Sequence, residues 1–228
     1  MYLYSFDKFA WPDKIFAITK WNTFCKKIKI WDLIKLGEDI FVCLGEDVSF
    51  AEQYVYFYTP KMDAVILHKW LLSEKAGKMI HRMVYTYYTT YKSVMKYFVS
   101  DEWEKLLEKE SKWKGKIEQT LIVYPDLRTI MNTIDEKEFA KKEVAFLNST
   151  SSQWQKDKQR WAIKQWQVSL IYASPSEIFQ DFHNLKKIIL IDPHKWYYAN
   201  QQDPRYKVGA VLEEMAKLYG ATLEKVGN

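Results

Sequence analysis

The stretch "LKKIILIDPHKWYYANQQDPRY", residues 185–206, decides how the rest of the chain is read. Its apolar run Ile188 to Ile191 has the length and branched composition of a buried strand, and it stops at Asp192. The polar, aromatic segment that follows is what the carboxyl end of a parallel strand looks like, the edge at which open α/β sheets bind ligands. Upstream, "QTLIVYP" (119–125), "EVAFLNS" (143–149) and "QVSLIYAS" (167–174) repeat the pattern of a short apolar run closed by Pro, Asn or Ser. Between them "SSQWQKDKQRWAIKQW" (151–166) opens with Ser residues suited to an N-cap and spaces Trp154, Trp161 and Trp166 around a helix. A short helical segment follows Pro125, and "PSEIFQDF" (175–182) predicts one or two helical turns. Downstream, "YKVGAVLEEMAKLYG" (206–220) predicts an amphipathic helix stopped by Gly220, with "ATLEKV" (221–226) as one more strand.

Two further segments extend the alternation toward the amino terminus. "MVYTYY" (83–88) is a candidate strand, and "KSVMKYFVSDEWEKLLEKE" (92–110) carries Val94, Met95, Phe98, Leu106 and Leu107 at helical spacing. Strands separated by helices predict a mainly parallel sheet of about five or more strands with helices on both faces, over residues 79–228. Residues 1–78 predict a small α+β unit. There "IKIWDLIKLGEDIFVCLGED" (28–47) suggests strands turning at Gly37 and Gly45, and "AVILHKWLLSEKAGKMIH" (64–81) suggests a helix.

With 228 residues, 48% of them hydrophobic, the chain can bury a sizeable core in one large or two small domains. Lys and Arg exceed Asp and Glu by 34 − 29 = 5, which is compatible with an anionic partner without requiring one. Ten Trp and sixteen Tyr serve most simply in a core or an interface, and the sharper use is stacking on nucleic-acid bases. Cys25 and Cys43 form no Cys-x-x-Cys pair, and His68, His81, His183 and His194 have no ligand spacing, so no metal is expected. Charges interrupt every apolar run of the amino terminus, and no stretch reaches the roughly 18 apolar residues of a span. The expectation is a cytoplasmic protein with reduced thiols and no membrane partner.

Five collinear blocks resemble the first motor lobe of the replication-restart helicases of the PriA type (primosomal protein N′, superfamily 2). "LIVYPDLRTI" is similar to that family's LVLVPEIxLT, with Asp126 for its Glu, and "VAFLNS" to its VxxLHS, with Asn148 for His. "RWAIKQWQVSLIYASPSEIF" is similar to WxxIxxGxxxIVIGTRSAIF, where Trp161, Ile163, Ser176 and Phe179 match while Trp166 replaces a Gly and Pro175 an Arg. "NLKKIILIDPHKW" follows NLxLIIVDEEHE, and "QQDPRY" follows QExxPRY. The resemblance implies a RecA-like fold, a DNA partner and, in an active member, ATP and Mg²⁺.

The departures fall on the chemistry. A phosphate loop reads GxxxxGK[ST], with glycines where backbone N–H groups approach the phosphates and Lys on the β/γ oxygens. The corresponding "TYYTTYKS" (86–93) keeps Lys92 and Ser93 but has Thr86 and Tyr91 at the glycine positions. The family's Asp-Glu-Glu-His, which holds Mg²⁺ and positions water, is here Asp192, Pro193, His194 and Lys195, with a cation beside the would-be metal. Lys92, Ser93 and Asp192 are thus the remnants of a nucleotide site, or a pair at a helix start and a strand-end carboxylate capping a loop. Such an engine also hydrolyses ATP between two lobes, so if the chain ends at Asn228 it is not expected to translocate alone.

Three functions follow as expectations. One is a degenerate motor lobe, silent toward ATP, that binds forked or single-stranded DNA or replication proteins. Its candidate phosphate contacts are Arg128, Lys195 and Arg205, on loops at the carboxyl ends of strands. The second is an active ATPase or helicase fragment using ATP and Mg²⁺ through Lys92, Ser93 and Asp192. The third is a structural or oligomeric interaction module built on the aromatic surface.

Overall fold

The computed structural model describes residues 2–5, 15–18, 27–37, 39–45, 55–58, 65–68, 71–99, 117–134, 143–195, 198–199 and 204–227. Contacts divide the chain into two compact units, Met1–Met95 and Lys96–Asn228.

The first unit holds a six-stranded, mostly antiparallel sheet. In chain order its strands are β1 (Tyr2–Ser5), β2 (Ile15–Ile18), β3 (Leu33–Leu36), β4 (Asp39–Gly45), β5 (Val55–Tyr58) and β6 (Val65–His68). Their order in space is β5-β2-β1-β4-β3-β6, and only β2 and β5 run parallel. Gly37 makes the β3–β4 turn at φ 64°, as expected of a glycine in the left-handed region. Leu3, Ile34, Leu36, Phe41 and Cys43 build a buried core against Ile28.

Helix α1 (Glu74–Tyr87) starts where Ser73 Oγ accepts the Ala76 N–H at 3.2 Å and ends on Tyr88 in the left-handed conformation. Two expectations are corrected here. "MVYTYY" is not a strand: Met79, Ile80, Met83 and Val84 are buried on one helical face while Tyr85 and Thr86 are exposed, so the 3.6-residue period begun at Glu74 runs through the segment. Its aromatic, β-branched composition is outweighed by the face it buries. Conversely, the helix expected from residue 64 starts only at Glu74. Val65–His68 pairs antiparallel with β3, and exposed Val65 and Leu67 flank half-buried Ile66 in strand alternation. Gly77 lets α1 press on Trp31, because a Cβ there would lie 2.0 Å from the indole Nε1.

Helix α2 (Tyr91–Phe98) carries Val94 and Met95 on its buried face. Its expected continuation through Leu106 and Leu107 lies outside the described residues.

The second unit is the expected α/β layer. Strands β7 (Gln119–Val123), β8 (Val144–Leu147), β9 (Leu170–Ala173), β10 (Leu185–Ile191) and β11 (Thr222–Val226) form an all-parallel sheet in the order β11-β10-β7-β9-β8. "TLIVY" and "KIILID" are neighbours in it, Ile188 opposite Leu121. Helices α3 (Leu127–Thr133), α4 (Gln153–Lys164) and α5 (Val208–Tyr219) connect the strands. Right-handed crossovers put α3 on one face and α4 and α5 on the other. The α3 face packs Ile130 and Ile134 on Tyr124 and Tyr172, and the opposite face buries Leu121, Val123, Ala145, Ile171, Ile188 and Leu190.

The helix starts follow their sequence signals. Ser152 caps α4 and Gln155 returns the bond to the Ser152 N–H, a complete capping box, and Gly220 ends α5 at φ 69°. The helix expected at 175–182 is a single 3₁₀ turn, Pro175–Glu177. Ile178 to Phe182 are all buried, and five consecutive buried side chains are incompatible with an amphipathic surface helix. At the amino edge of the sheet, buried Gln119 donates to the Ile163 and Val168 carbonyls and accepts from the His183 and Asn184 N–H groups. Its whole amide is thereby satisfied where β7, α4 and β10 meet. Among the described residues no helix is long and apolar enough to cross a membrane.

Candidate nucleic-acid interface at the carboxyl edge of the sheet

Strands β7 and β10 are neighbours, yet the chain leaves β7 toward β8 and leaves β10 toward β11, in opposite directions. Between their carboxyl ends lies the topological switch point, where doubly wound sheets open a crevice for a ligand. Here the chain's own Tyr198 occupies it. The Tyr198 hydroxyl reaches both strand-end carbonyls, Val123 O at 3.2 Å and Ile191 O, and the residue is only 6% exposed. Burial above all, then the negative charges of Asp192 and Asp126, raise the phenol above its ordinary range, so it stays a neutral donor.

Asp192 follows β10 in the left-handed conformation, φ 48°. Its N–H donates to Val226 O at 2.7 Å and its carbonyl accepts from the Lys195 N–H at 3.1 Å. The carboxylate oxygen Oδ1 lies against Gly227, on the β11 side, where a Cβ would come within 2.2 Å of it. Gly227 itself has φ 102°, so the β11 end is shaped to receive this carboxylate. The bonds that close this loop are thus made by the Asp192 backbone, with the carboxylate beside Gly227.

Lys92 and Ser93 stand in the first unit, on the first turn of α2. The segment before them is the end of α1 and a turn, so a helix precedes "TYYTTYKS" where a phosphate loop has a strand. Thr90 Oγ1 accepts the Ser93 N–H at 3.1 Å and lies 3.1 Å from Ser93 Oγ, as a helix cap does. Tyr91, at the second glycine position, is a core residue. It is 1% exposed, its hydroxyl is 2.6 Å from His81 Nδ1, and burial raises its phenol and lowers the imidazole.

Beside the closed switch point, an open cleft of about 330 Å³ runs along the carboxyl ends of β7, β8 and β9. Its walls mix the small polar residues Asp126, Asn148, Ser149, Ser174 and Ser176 with apolar Pro125, Leu127, Pro175 and Ala199, and Tyr206 completes the lining. Three of them are oriented by hydrogen bonds. Asp126 caps α3 by accepting the Thr129 N–H at 2.9 Å and its hydroxyl at 3.0 Å, and these bonds, the N–H first, hold its carboxyl below the usual range. Asn148 Oδ1 accepts from the Thr150 and Ser151 N–H groups, both at 2.9 Å, and Tyr206 donates to Pro175 O at 3.2 Å. The wall thus combines hydroxyls and an amide with one carboxylate, Asp126, held in its ionised form.

Arg128, Lys195 and Arg205 are all exposed. Arg128 is two residues past Asp126 and on the first turn of α3 rather than on a loop, Arg205 directly precedes the cleft residue Tyr206, and Lys195 follows β10. Sequence reasoning missed Tyr198 and the hydroxyl wall. The signal for the wall was present in the small polar residues that close each apolar run, "LNS" after β8 and "ASPS" after β9, whereas Tyr198 acts on backbone carbonyls and has no such signal. No family model matches the chain, and no curated protein matches it.

Proposed function

We propose that this protein is a helicase-lobe-like module, silent toward ATP, that binds single-stranded or forked DNA along the carboxyl edge of its parallel sheet and serves replication as a DNA-binding or partner-binding part. The observation that carries the reading is Tyr198. Nucleotide chemistry at a switch point needs an open crevice, a metal-holding carboxylate and an oriented water. Here a neutral phenol spans the two strand-end carbonyls and the neighbouring Asp192 carboxylate lies against Gly227. The resemblance of five blocks to the PriA-type motor lobe supplies the nucleic acid in this reading. The hydroxyl-walled cleft, whose lining residues Leu127 and Tyr206 adjoin Arg128 and Arg205 in the chain, supplies a surface for it, and Lys195 adds charge further along the edge.

The experiment is fluorescence anisotropy of a labelled fork and a labelled single strand, across a salt series, with the native chain and with Arg128, Lys195 and Arg205 all replaced by Ala. The reading expects weaker binding of the variant at every sequence and a log–log salt slope shallower by about two to three, since each neutralised phosphate contributes about 0.7–0.9. Equal affinity and equal slope reject these three as phosphate contacts, and no binding by the native chain rejects the DNA reading.

A further inference from the structure

A second cleft, of about 250 Å³, lies on the flank of α4 and is lined by Lys96 and Tyr97 from α2, Lys156 and Arg160 from α4, and Glu177. We infer that it binds a single phosphate group, held by Lys96, Lys156 and Arg160.

The hydrogen-bond inventory points that way. Glu177 is buried, its side chain 6% exposed, and both its oxygens are taken: Oε1 by Lys156 Nζ at 2.7 Å and Oε2 by an Arg160 terminal nitrogen at 2.9 Å. The other terminal nitrogen of Arg160 is 3.7 Å from Asp157 Oδ1, an ion-pair contact beyond hydrogen-bond range, and the buried Nε has no acceptor among the described residues. A guanidinium brings five donors and an ammonium three, so the donors of this wall exceed its acceptors. Lys96 Nζ lies 5.2 Å from the Tyr97 ring centroid and, among the described residues, is paired with no carboxylate. The lining charge is three cations less one carboxylate, 3 − 1 = +2, and the Asp157 carboxylate ion-paired with Arg160 behind the wall leaves a local balance of 2 − 1 = +1. The Lys156 and Arg160 side chains are only 13% and 12% exposed, so their charges are weakly screened.

The missing partner is therefore an anion with several acceptor oxygens. A carboxylate presents two in a plane, whereas a phosphate presents a tetrahedral set that cations arriving from two helices can share. The cleft is smaller than the roughly 300–1,000 Å³ that encloses a drug-sized ligand, which suits one phosphate group rather than a nucleoside triphosphate. The site shares no lining residue with the hydroxyl-walled cleft and stands independently of the DNA reading. The phosphate can come from a nucleic-acid backbone or from a small phosphate-bearing molecule.

The chain has four arginines, Arg82, Arg128, Arg160 and Arg205, so its arginine Nε–Hε NMR signals are few enough to follow one by one. Replacing exposed Arg82, Arg128 and Arg205 singly by Lys identifies the Arg160 signal by elimination. Titration with inorganic phosphate at constant ionic strength is expected to move the Arg160 signal along a saturating curve, acetate to move it far less, and Lys96→Gln to weaken phosphate binding severalfold. An Arg160 signal that stays still, that answers acetate equally, or that answers phosphate equally in Lys96→Gln overturns the site. A thymidine decamer lacking terminal phosphate then separates the sources. Displacement of inorganic phosphate assigns the site to backbone phosphodiesters, and its absence, with phosphate still binding, assigns it to a small phosphate-bearing molecule.

Discussion

Replacing Tyr198 by Phe removes one oxygen and keeps the ring, so it isolates the bond that closes the switch point. The hydroxyl's single proton is shared between Val123 O and Ile191 O at a position 6% exposed, so the substitution removes the one donor within reach of both. A net hydrogen bond contributes about 0.5–1.5 kcal/mol, and leaving a buried acceptor unmet costs about 1–3 kcal/mol, so the expected loss is about 1–2 kcal/mol. The pH dependence has a definite sign. Burial raises the folded-state phenol above the ordinary value of about 10, so the unfolded chain ionises first and the native protein loses stability as pH rises past that value. The contribution of Tyr198 is therefore complete below about pH 10 and declines above it by up to about 1.4 kcal/mol per pH unit, while the Tyr198→Phe variant has no phenol to ionise there and lacks this decline. Urea unfolding of both proteins at about pH 8 and about pH 11 should show the native chain the more stable at the lower pH and the gap closed or reversed at the higher. A difference at the lower pH within the about 0.5 kcal/mol of an ordinary surface substitution, or a gap that does not change with pH, refutes the bridge.

Steady-state phosphate release with saturating Mg-ATP and forked DNA should show no helicase-like turnover, and Lys92→Ala should leave the trace unchanged; turnover near one per second that disappears in the variant restores the active-ATPase reading. Gly77→Ala adds a methyl group 2.0 Å from the Trp31 indole, inside a packed helix face, and should destabilise the first unit by about 1–3 kcal/mol in denaturant unfolding; a neutral result shows that Trp31 can move aside.

How much was legible in the sequence depended on the range of the interaction. Ser152 with Gln155 three residues later, Gly37 between two strands and Gly220 after an amphipathic run are local signals, because a cap or a turn is completed within a few residues. The parallel sheet was legible too, since a buried strand between helices needs only its own apolar run to declare itself. Local reading failed where two neighbours compete for one segment. "MVYTYY" has strand composition, yet the face begun at Met79 carries it as helix, and Ile178–Phe182 is buried throughout although it includes the polar Gln180 and Asp181.

Composition and spacing by themselves determined a two-part α/β chain whose short strands end in polar residues. That β7 and β10 are neighbours, with about sixty residues between "TLIVY" and "KIILI", is what the family resemblance implies and what the structure shows, but composition and spacing could not decide it, because strand order is set by pairings between distant segments. That adjacency creates the switch point. It also brings Val123 O and Ile191 O within reach of one hydroxyl, turns Asp192 toward Gly227, and gathers Asn148, Ser174 and Tyr206 around one cleft. A carbonyl has no sequence identity, so no reading of residue types could have found the acceptors that Tyr198 bridges.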